Sequence, residues 1–293
     1  MDNVKKLLLV VLSILACSNL QAENRVAVKA RASEEYLKAR ALDESKKIQT
    51  YQVLKGRFHE GTTADPTLDR ITFEEIVYDI ALQLRKQGYY PLREPGDSDL
   101  LIVVHYGRTD APEDMEELLG YTSMEDQGFN NTVANAGADG IMSQAEMNAT
   151  ADFGFNMAAS ETFAAGNRMT GFKKALMLGM EEVYNLDADI TMREERLLQH
   201  LLLEERYYIV LVAYDFPKLQ AGEVDPLWVT RYSIRSIGQS FGDAVTALNT
   251  VAGDYFGKNF KDLVQKRVSD SSRVEIGEIE VISHEDVKRA ISK

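Results

Sequence analysis

The chain has 293 residues, of which 45% are hydrophobic, and it carries a formal net charge of −13. This composition is typical of a globular protein and excludes a disordered chain, while the acidic balance disfavours nucleic acid and anionic lipid headgroups as partners. The single cysteine excludes an intramolecular disulfide, and a chain of this length can bury a sufficient core without one.

The first 22 residues have the pattern of a secretory signal peptide. Lys5 and Lys6 form a basic start, and an apolar stretch follows over residues 7–16. The stretch is shorter than the roughly 20 apolar residues that a transmembrane helix needs. We therefore expect residues 1–22 to be removed on export. The mature chain, without a transmembrane helix, would work in a bacterial cell envelope.

Two cleavage sites fit this signal and imply different locations. Cleavage after Ala22 would release a free periplasmic or secreted protein. Residues 14–17 (Ile-Leu-Ala-Cys) resemble a lipobox, although Leu15 is unusual there, and cleavage after Ala16 would leave a lipidated Cys17. A multiply acylated terminus anchors a protein stably. The sequence leaves both readings open: an outer-membrane lipoprotein or a periplasmic protein.

The first half of the mature chain predicts alternating helices and strands. Thr72 and Glu75 form a capping box at the start of an amphipathic helix, and Gly88 closes it. The run over 99–107 is continuously apolar, which is typical of a strand buried on both faces. The predicted elements are an exposed helix over 32–47, a strand over 48–58, the helix over 72–88 and the strand over 99–107.

Residues 111–189 differ in composition from the rest of the chain. They are rich in Gly, Asn, Ala and Met and lack strand-like runs. We predict a mostly helical or irregular insertion, in which 172–184 is the clearest helix. Because methionine side chains repack around varied partners, the insertion could face a partner; the alternative is ordinary core filling within an added lobe.

The second half completes an α+β pattern. Arg231, Ser233 and Arg235 share one face of a strand predicted to be half-exposed, where they would bind an anion or simply be solvated. Residues 23–293 are thus predicted to form a single α+β domain: a mixed β-sheet of about five strands with amphipathic helices packed on one face, plus the insertion over 111–189. The elements predicted here are a helix over 192–205, strands over 207–216 and 227–236, a helix over 241–256, a strand over 273–282 and a helix over 286–292.

Two stretches carry a resemblance to a known family. Residues 88–107 (GYYPLREPGDSDLLIVVHYG) form a helix-to-strand unit, and residues 226–259, which begin PLWVTRYSIR, form a strand-then-helix unit. Together they resemble an uncharacterised family of bacterial envelope lipoproteins whose domain has no assigned function. The resemblance covers roughly half of the mature chain. It implies an exported, envelope-associated protein and carries over no catalytic residue; the long insertion and the imperfect lipobox depart from the family pattern.

One short motif points to hydrolysis. Residues 238–242 (Gly-Gln-Ser-Phe-Gly) match the G-x-S-x-G nucleophile elbow and lie between a predicted strand and helix. A hydrolase would use Ser240 as nucleophile and His284 as base, although little chain follows for the rest of such a fold. The alternative is that Ser240 caps the helix, with Asp243 in the box position. The acids available to the motif are Asp254, Asp262 and Asp270.

A second motif partly matches a calcium-binding loop. Over residues 135–146, Asp139 and Glu146 are in register with the loop pattern. Asn135 is a weak ligand at the first position and Gly137 brings no side chain to the third, so few charged ligands are available. The alternative is a glycine-rich surface loop.

The leading hypothesis is a non-enzymatic exported envelope protein, lipidated at Cys17 or periplasmic, that binds another envelope component. The four histidines have no metal spacing, and the sequence holds no phosphate loop or dinucleotide fingerprint, so we expect no cofactor. His105, at the end of an apolar run, is expected to be a hydrogen-bonded structural residue. The alternatives are a secreted serine hydrolase using Ser240 and a calcium-dependent binding module using residues 135–146.

Overall fold

A computed structural model describes residues 24–61, 65–92, 97–110, 171–185 and 188–268. Within these ranges the chain forms seven strands, six α-helices and three short 3-10 segments. The strands are β1 (Arg25–Ala32), β2 (Gln49–His59), β3 (Tyr89–Pro91), β4 (Leu100–Arg108), β5 (Arg206–Asp215), β6 (Pro226–Arg235) and β7 (Val264–Arg267). The helices are α1 (Glu34–Leu42), α2 (Phe73–Lys86), α3 (Gly171–Leu178), α4 (Met192–Leu202), α5 (Phe216–Gln220) and α6 (Phe241–Ala252). The 3-10 segments are Glu44–Lys47, Glu181–Tyr184 and Gly253–Tyr255.

The strands form one mixed sheet in the order β3-β2-β4-β5-β6-β1-β7. Strand β2 runs parallel to both β3 and β4, whereas the pairs β4–β5, β5–β6, β6–β1 and β1–β7 are antiparallel. Helix α2 returns the chain between β2 and β3, and parallel neighbours require such a crossover. The early strand β1 lies between two late strands, so that Ala27 faces Ser233 across the β1–β6 pair.

The first core lies between one face of the sheet and helices α1, α2 and α6. Its largest fully buried side chain is Trp228 of β6. The Trp228 ring stacks on Phe256, with 6.2 Å between ring centroids, and lies tilted against Tyr89 at 5.7 Å. Because a fully buried large apolar side chain contributes about 1.5–3 kcal/mol, this layer is a main source of stability.

The second core lies on the opposite face of the sheet, beneath α3, α4 and the 3-10 segment Glu181–Tyr184. Along β5, Ile209 and Leu211 point into the first core while Tyr208 and Val210 point into the second. Strand β5 is therefore buried on both faces, as its continuous apolar run predicted.

The helix starts follow the predicted capping chemistry. The Thr72 hydroxyl accepts from the Glu75 N–H (3.3 Å), and the Glu75 carboxylate accepts from the Thr72 N–H (2.7 Å), so the predicted box is confirmed. Thr191 opens α4 with a second box of the same kind. Gly88 follows α2 with φ +83°, and a side chain there would meet the Lys47 carbonyl at 2.3 Å.

The predicted α+β class and mixed sheet are confirmed, but two details differ. In the described part of the chain the sheet has seven strands rather than about five, and β1, β3 and β7 were not predicted. Strands β3 and β7 have three and four residues, too few for an alternating pattern to show. Helices also cover both faces of the sheet rather than one.

The bounds of two predicted segments change as well. The predicted helix over 32–47 is the shorter α1, with β1 before it and a 3-10 segment after it. Most of the predicted insertion over 111–189 lies outside the described residues, but α3 and the segment Glu181–Tyr184 belong to the second core. The strand predicted over 273–282 and the helix over 286–292 also lie outside. No helix in the described part of the chain is long and apolar enough to cross a bilayer.

Candidate functional site

Ser240 lies in the connection between β6, which ends at Arg235, and α6, which begins at Phe241. The G-x-S-x-G motif thus has the strand–turn–helix context predicted for it. The Ser240 hydroxyl accepts a hydrogen bond from the Asp243 N–H (3.2 Å) and donates one to Asp243 Oδ2 (2.6 Å). Ser240 is therefore the N-cap of α6, where it satisfies a helix N–H that would otherwise lack a partner.

The backbone at Ser240 has an ordinary extended conformation, with φ −83° and ψ 157°. A nucleophile elbow instead holds its serine in a sharp, strained turn. Here Gly238 makes the turn with φ +87°, and among the described residues only glycines have positive φ. No described histidine hydrogen bonds to the Ser240 hydroxyl, and the predicted base His284 lies outside the described residues. The geometry favours the cap over the nucleophile.

The other predicted site residues are dispersed. Asp254 forms a surface ion pair with Lys266 (3.4 Å), and Asp262 is exposed. Within the described ranges, no group of three or more His, Cys, Asp and Glu side chains could hold a metal ion. The candidates that lie outside those ranges are Cys17, Asn135, Asp139, Glu146, Asp270 and His284.

His105 is a structural histidine, as its position at the end of an apolar run predicted. Its Nδ1 accepts a hydrogen bond from the Arg57 N–H (3.0 Å). Burial, with a smaller effect of the nearby Arg57 charge, lowers the pKa of His105 to about 4. The ring is therefore neutral at physiological pH.

A hydrogen-bonded cluster at the start of α6 was not predicted. Asp65 accepts from the hydroxyls of Thr67 (2.7 Å) and Tyr207 (2.5 Å), and Arg108 Nη1 lies 3.7 Å from it. The Thr67 hydroxyl in turn accepts from the N–H of Phe241 (3.0 Å). The cluster joins the loop after β2 to β4, β5 and α6.

The protonation states in this cluster complement one another. Burial disfavours the Asp65 carboxylate, but hydrogen bonds from Tyr207 and Thr67 outweigh it and lower the pKa of Asp65. Burial and the bond to Asp65 raise the pKa of Tyr207 to about 12. At neutral pH Tyr207 therefore donates to an ionised carboxylate. The sequence signal was the Asp-Pro-Thr turn at Asp65, whereas Tyr207 comes from a distant strand.

Four basic side chains are buried on the second-core face of the sheet. Lys29 of β1 and Arg231 of β6 have 0% exposure, and Arg206 of β5 and Lys174 of α3 have 2%. We call these four the buried basic layer. An isolated buried charge costs several kcal/mol, so side chains of this kind need specific partners.

Lys29 is tied to two segments of the chain. Its Nζ donates to Glu182 Oε1 (2.7 Å) and to the carbonyl of Lys261 (2.6 Å), and Arg31 also donates to Glu182 (3.2 Å). The end of α3 passes close above it, because a Cβ at Gly179 would lie only 2.6 Å from Lys29 Cβ. Gly179 has φ +72°, which favours glycine as well.

Arg206 links the start of β5 to the end of β6. Its Nε donates to Ser233 Oγ (3.0 Å) and its Nη2 to the Ser233 carbonyl (3.1 Å), while Nη1 pairs with Glu204. Burial lowers the pKa of Arg206 to about 10, so the guanidinium stays charged at neutral pH.

Lys174 of α3 connects the chain that follows residue 170 to the chain that precedes residue 111. Its Nζ donates to the carbonyl of Asp110, just after β4, and to the carbonyl of Glu204 (2.7 Å), just before β5. Burial, and after it the positive charge of Arg206, lowers the pKa of Lys174 to about 7. This lysine therefore loses its proton far more readily than an exposed lysine does.

The prediction of a half-exposed β6 is wrong. Arg231 and Ser233 have 0% exposure: Gly179, just after α3, lies close to the Arg231 side chain, and Arg206 is hydrogen bonded to Ser233. Of the three predicted face residues, only Arg235 reaches solvent, with a 40% exposed side chain, and its Nε lies 3.9 Å from Glu204. Arg231 and Ser233 are thus closed to a dissolved anion, and the basic side chains of this face act in packing.

Sequence reasoning found one member of the layer, Arg231, and missed the other three. The signal for Lys29 was the interruption of the apolar residues of β1 by basic ones, but such interruptions usually mark a solvent face. Comparison with models of protein families found no match to this chain, and comparison with curated proteins found none. The resemblance to an envelope lipoprotein family therefore stays a prediction.

Proposed function

We propose that the protein is a non-enzymatic component of a bacterial cell envelope that binds another envelope component. It is lipid-anchored through Cys17 or free in the periplasm. One observation carries the choice of binding over hydrolysis: the Ser240 hydroxyl is engaged with Asp243 in an unstrained N-cap. The signal pattern in residues 1–22 supports the location.

The buried charges support the same choice. Catalytic groups usually stand in an open cleft with their reactive atoms directed at a substrate. Here Lys29, Lys174 and Arg206 donate to carboxylates, a serine and backbone carbonyls of the protein itself. Their chemistry is that of internal supports, which suits a rigid scaffold for binding.

The location is tested by fractionation and intact mass in a bacterial expression host. A lipoprotein gives a membrane-bound chain that begins at Cys17 and carries a diacylglycerol and an acyl group, and Cys17→Ser abolishes that mass. A periplasmic protein gives an unmodified chain that begins at Glu23. As control, Val11→Arg interrupts the apolar stretch and should leave residues 1–22 attached. A wild-type chain that behaves like this control contradicts the proposal.

The binding is tested by photo-crosslinking in the intact envelope. A photoreactive amino acid replaces an exposed side chain on a separate part of the surface in each variant: Leu42, Met192 or Val224. We expect at least one position to give an adduct with a single envelope component, absent when Val11→Arg is added. Correctly located protein that gives no adduct from any position contradicts the proposal.

The serine hydrolase remains the second candidate, because the motif does lie between a strand and a helix. A fluorophosphonate probe distinguishes the two functions. We expect no labelling of the wild-type chain, since the Ser240 hydroxyl is held by Asp243. Labelling that disappears in Ser240→Ala would establish the hydrolase and overturn the proposal.

A further inference from the structure

Strand β2 has an outer edge that its neighbour covers only in part. β2 spans Gln49–His59, but β3 pairs with only its first three residues, Gln49 to Tyr51. Beyond Tyr51, no described residue pairs with the side of β2 that faces away from β4. We call residues 52–59 on this side the open edge.

The backbone of the open edge presents hydrogen-bonding groups. The Tyr51 carbonyl points outward, since it accepts from the Leu92 N–H (3.1 Å). Because backbone direction alternates along a strand, the N–H and C=O groups of Val53 and Lys55 point the same way. An extended chain laid beside them would find two donors and two acceptors at strand spacing.

Apolar side chains stand exposed on both sides of this edge. Leu54 is 52% exposed and Phe58 is 39% exposed. The Phe58 ring packs against Tyr106, with 5.1 Å between centroids, and thus stands on the first-core side. Leu54 points to the opposite side, because it is one residue out of phase with the first-core residue Val53. An added strand would therefore have an apolar contact on each face.

The charge of the open edge is opposite to that of the whole chain. Lys55 and Arg57 lie on it, in a protein of net charge −13. Neither forms an ion pair with a described residue; the Lys55 ammonium lies over the rings of Phe73 and Tyr106 at 5.7 and 5.9 Å. These two charges are therefore available to an anionic partner.

The same charges disfavour a second copy of this chain as the partner. Two β2 strands pairing edge to edge would bring Lys55 and Arg57 of each copy together, and like charges between paired strands are destabilising. The register shift between Lys55 and Phe58 bends the edge further from the flat form in which identical strands pair. A negatively charged strand would find the same backbone hydrogen-bonding groups and would be attracted to Lys55 and Arg57.

We propose that the open edge of β2 binds an extended acidic segment of another protein as an added strand. The inference rests on the proposed function, because it names the chemistry of the bound envelope component. Main-chain hydrogen bonds to Val53 and Lys55 would give the affinity, and acidic side chains facing Lys55 and Arg57 would give the selectivity.

The test uses the mature full chain and two defined peptides. One is a fluorescein-labelled octapeptide of alternating valine and glutamate; the other has lysine in place of glutamate. We expect fluorescence anisotropy to show binding of the glutamate peptide only. In the double variant Lys55→Glu, Arg57→Glu the preference should reverse, with about tenfold weaker binding of the glutamate peptide. Lys38→Glu, on exposed α1, is the matched control and should leave the preference unchanged.

Hydrogen exchange locates the bound peptide. The amides of Val53 and Lys55 should exchange fast in the free protein and at least tenfold more slowly with the glutamate peptide bound. The amides of Gln52 and Leu54, which face β4, serve as internal references. Lack of binding, or protection elsewhere with Val53 and Lys55 unchanged, overturns the inference. Neither result touches the proposed function, which the photo-crosslinking of wild-type chain tests separately.

Discussion

The two faces of the sheet both bury apolar side chains beneath their helices, but only the second-core face carries the buried basic layer. On the first-core face, β6 contributes Trp228, Tyr232 and Ile234 to a layer of aromatic and aliphatic side chains. On the second-core face the same strand contributes Arg231 and Ser233. Apolar burial is favourable in many arrangements, whereas a buried charge is tolerated only with specific partners. Both faces bury apolar side chains, and the second face adds buried charges whose partners fix the position of α3 and the segments around it.

The largest effect should come from the apolar face. Trp228→Ala removes a fully buried indole that contacts Tyr89 and Phe256, and it should lower the free energy of unfolding by about 4 kcal/mol. Trp228→Phe should lose less than half of that, because most of the contact area is kept. Urea denaturation followed by circular dichroism measures both. Equal losses in the two variants would show that packing is not the cause.

On the second-core face, the pair of Lys29 and Glu182 tests whether a buried charge destabilises the fold when its partner is removed. Glu182→Gln leaves the Lys29 ammonium buried without its carboxylate, and we expect a loss of about 2 kcal/mol in unfolding free energy. Because Glu182 is partly exposed, the loss should stay below that of a fully buried pair. Adding Lys29→Met should restore part of the loss.

The matched control for this pair is exposed. Glu34→Gln breaks the ion pair of Glu34 with Lys38 (2.9 Å), whose side chains both lie in solvent. We expect a change within the error of a denaturation curve. If Glu34→Gln and Glu182→Gln lower the free energy of unfolding equally, burial does not strengthen the ion pair of Lys29 with Glu182.

Lys174 makes the charged face sensitive to pH. Its pKa is about 7 in the folded protein against an ordinary 10.5, so between these values the unfolded chain binds the extra proton. Stability from this group therefore rises with pH over that window, by up to about 1.4 kcal/mol per pH unit. The unfolding free energy of the wild type minus that of Lys174→Met should therefore increase from pH 7 to 9. A flat difference for Lys174→Met would rule out the lowered pKa.

The smallest expected effect lies outside both faces, at the start of α6. Ser240→Ala removes the N-cap and should lower the free energy of unfolding by about 1 kcal/mol. Ser240→Asp keeps an acceptor for the Asp243 N–H and should recover most of the loss. Thermal unfolding measures both variants. A stable Ser240→Ala would mean that the cap is not the function of this serine.

Local patterns in the sequence predicted the parts of the fold that local chemistry decides. The Thr72 box marked the start of α2, and the apolar runs marked β4 and β5. Strand β1 was missed because Lys29 and Arg31 interrupt its apolar residues, which reads as a charged surface segment. Its pairing with β6 and β7, not its own composition, makes it a central strand.

The candidate site shows the same division between local patterns, which the sequence reveals, and contacts between distant segments, which it does not. The capping role of Ser240 depends on residues three positions apart and was among the alternatives from the start. The buried basic layer depends on contacts between distant segments: Arg206 meets Ser233 only because β5 and β6 are neighbours. Nothing local to Lys174 indicates that carbonyls of Asp110 and Glu204 surround its ammonium.

The place of β1 in the sheet sets an order on folding. Among the seven strands β1 is synthesised first, yet both of its neighbours, β6 and β7, begin only at Pro226 and Val264. Closing so long a loop is entropically costly and slow, so we expect the β1–β6 pair to form late. Until then β5 has an unpaired side, and the apolar residues of β1 have no core to enter. A nascent chain that stops short of β6 cannot complete this sheet.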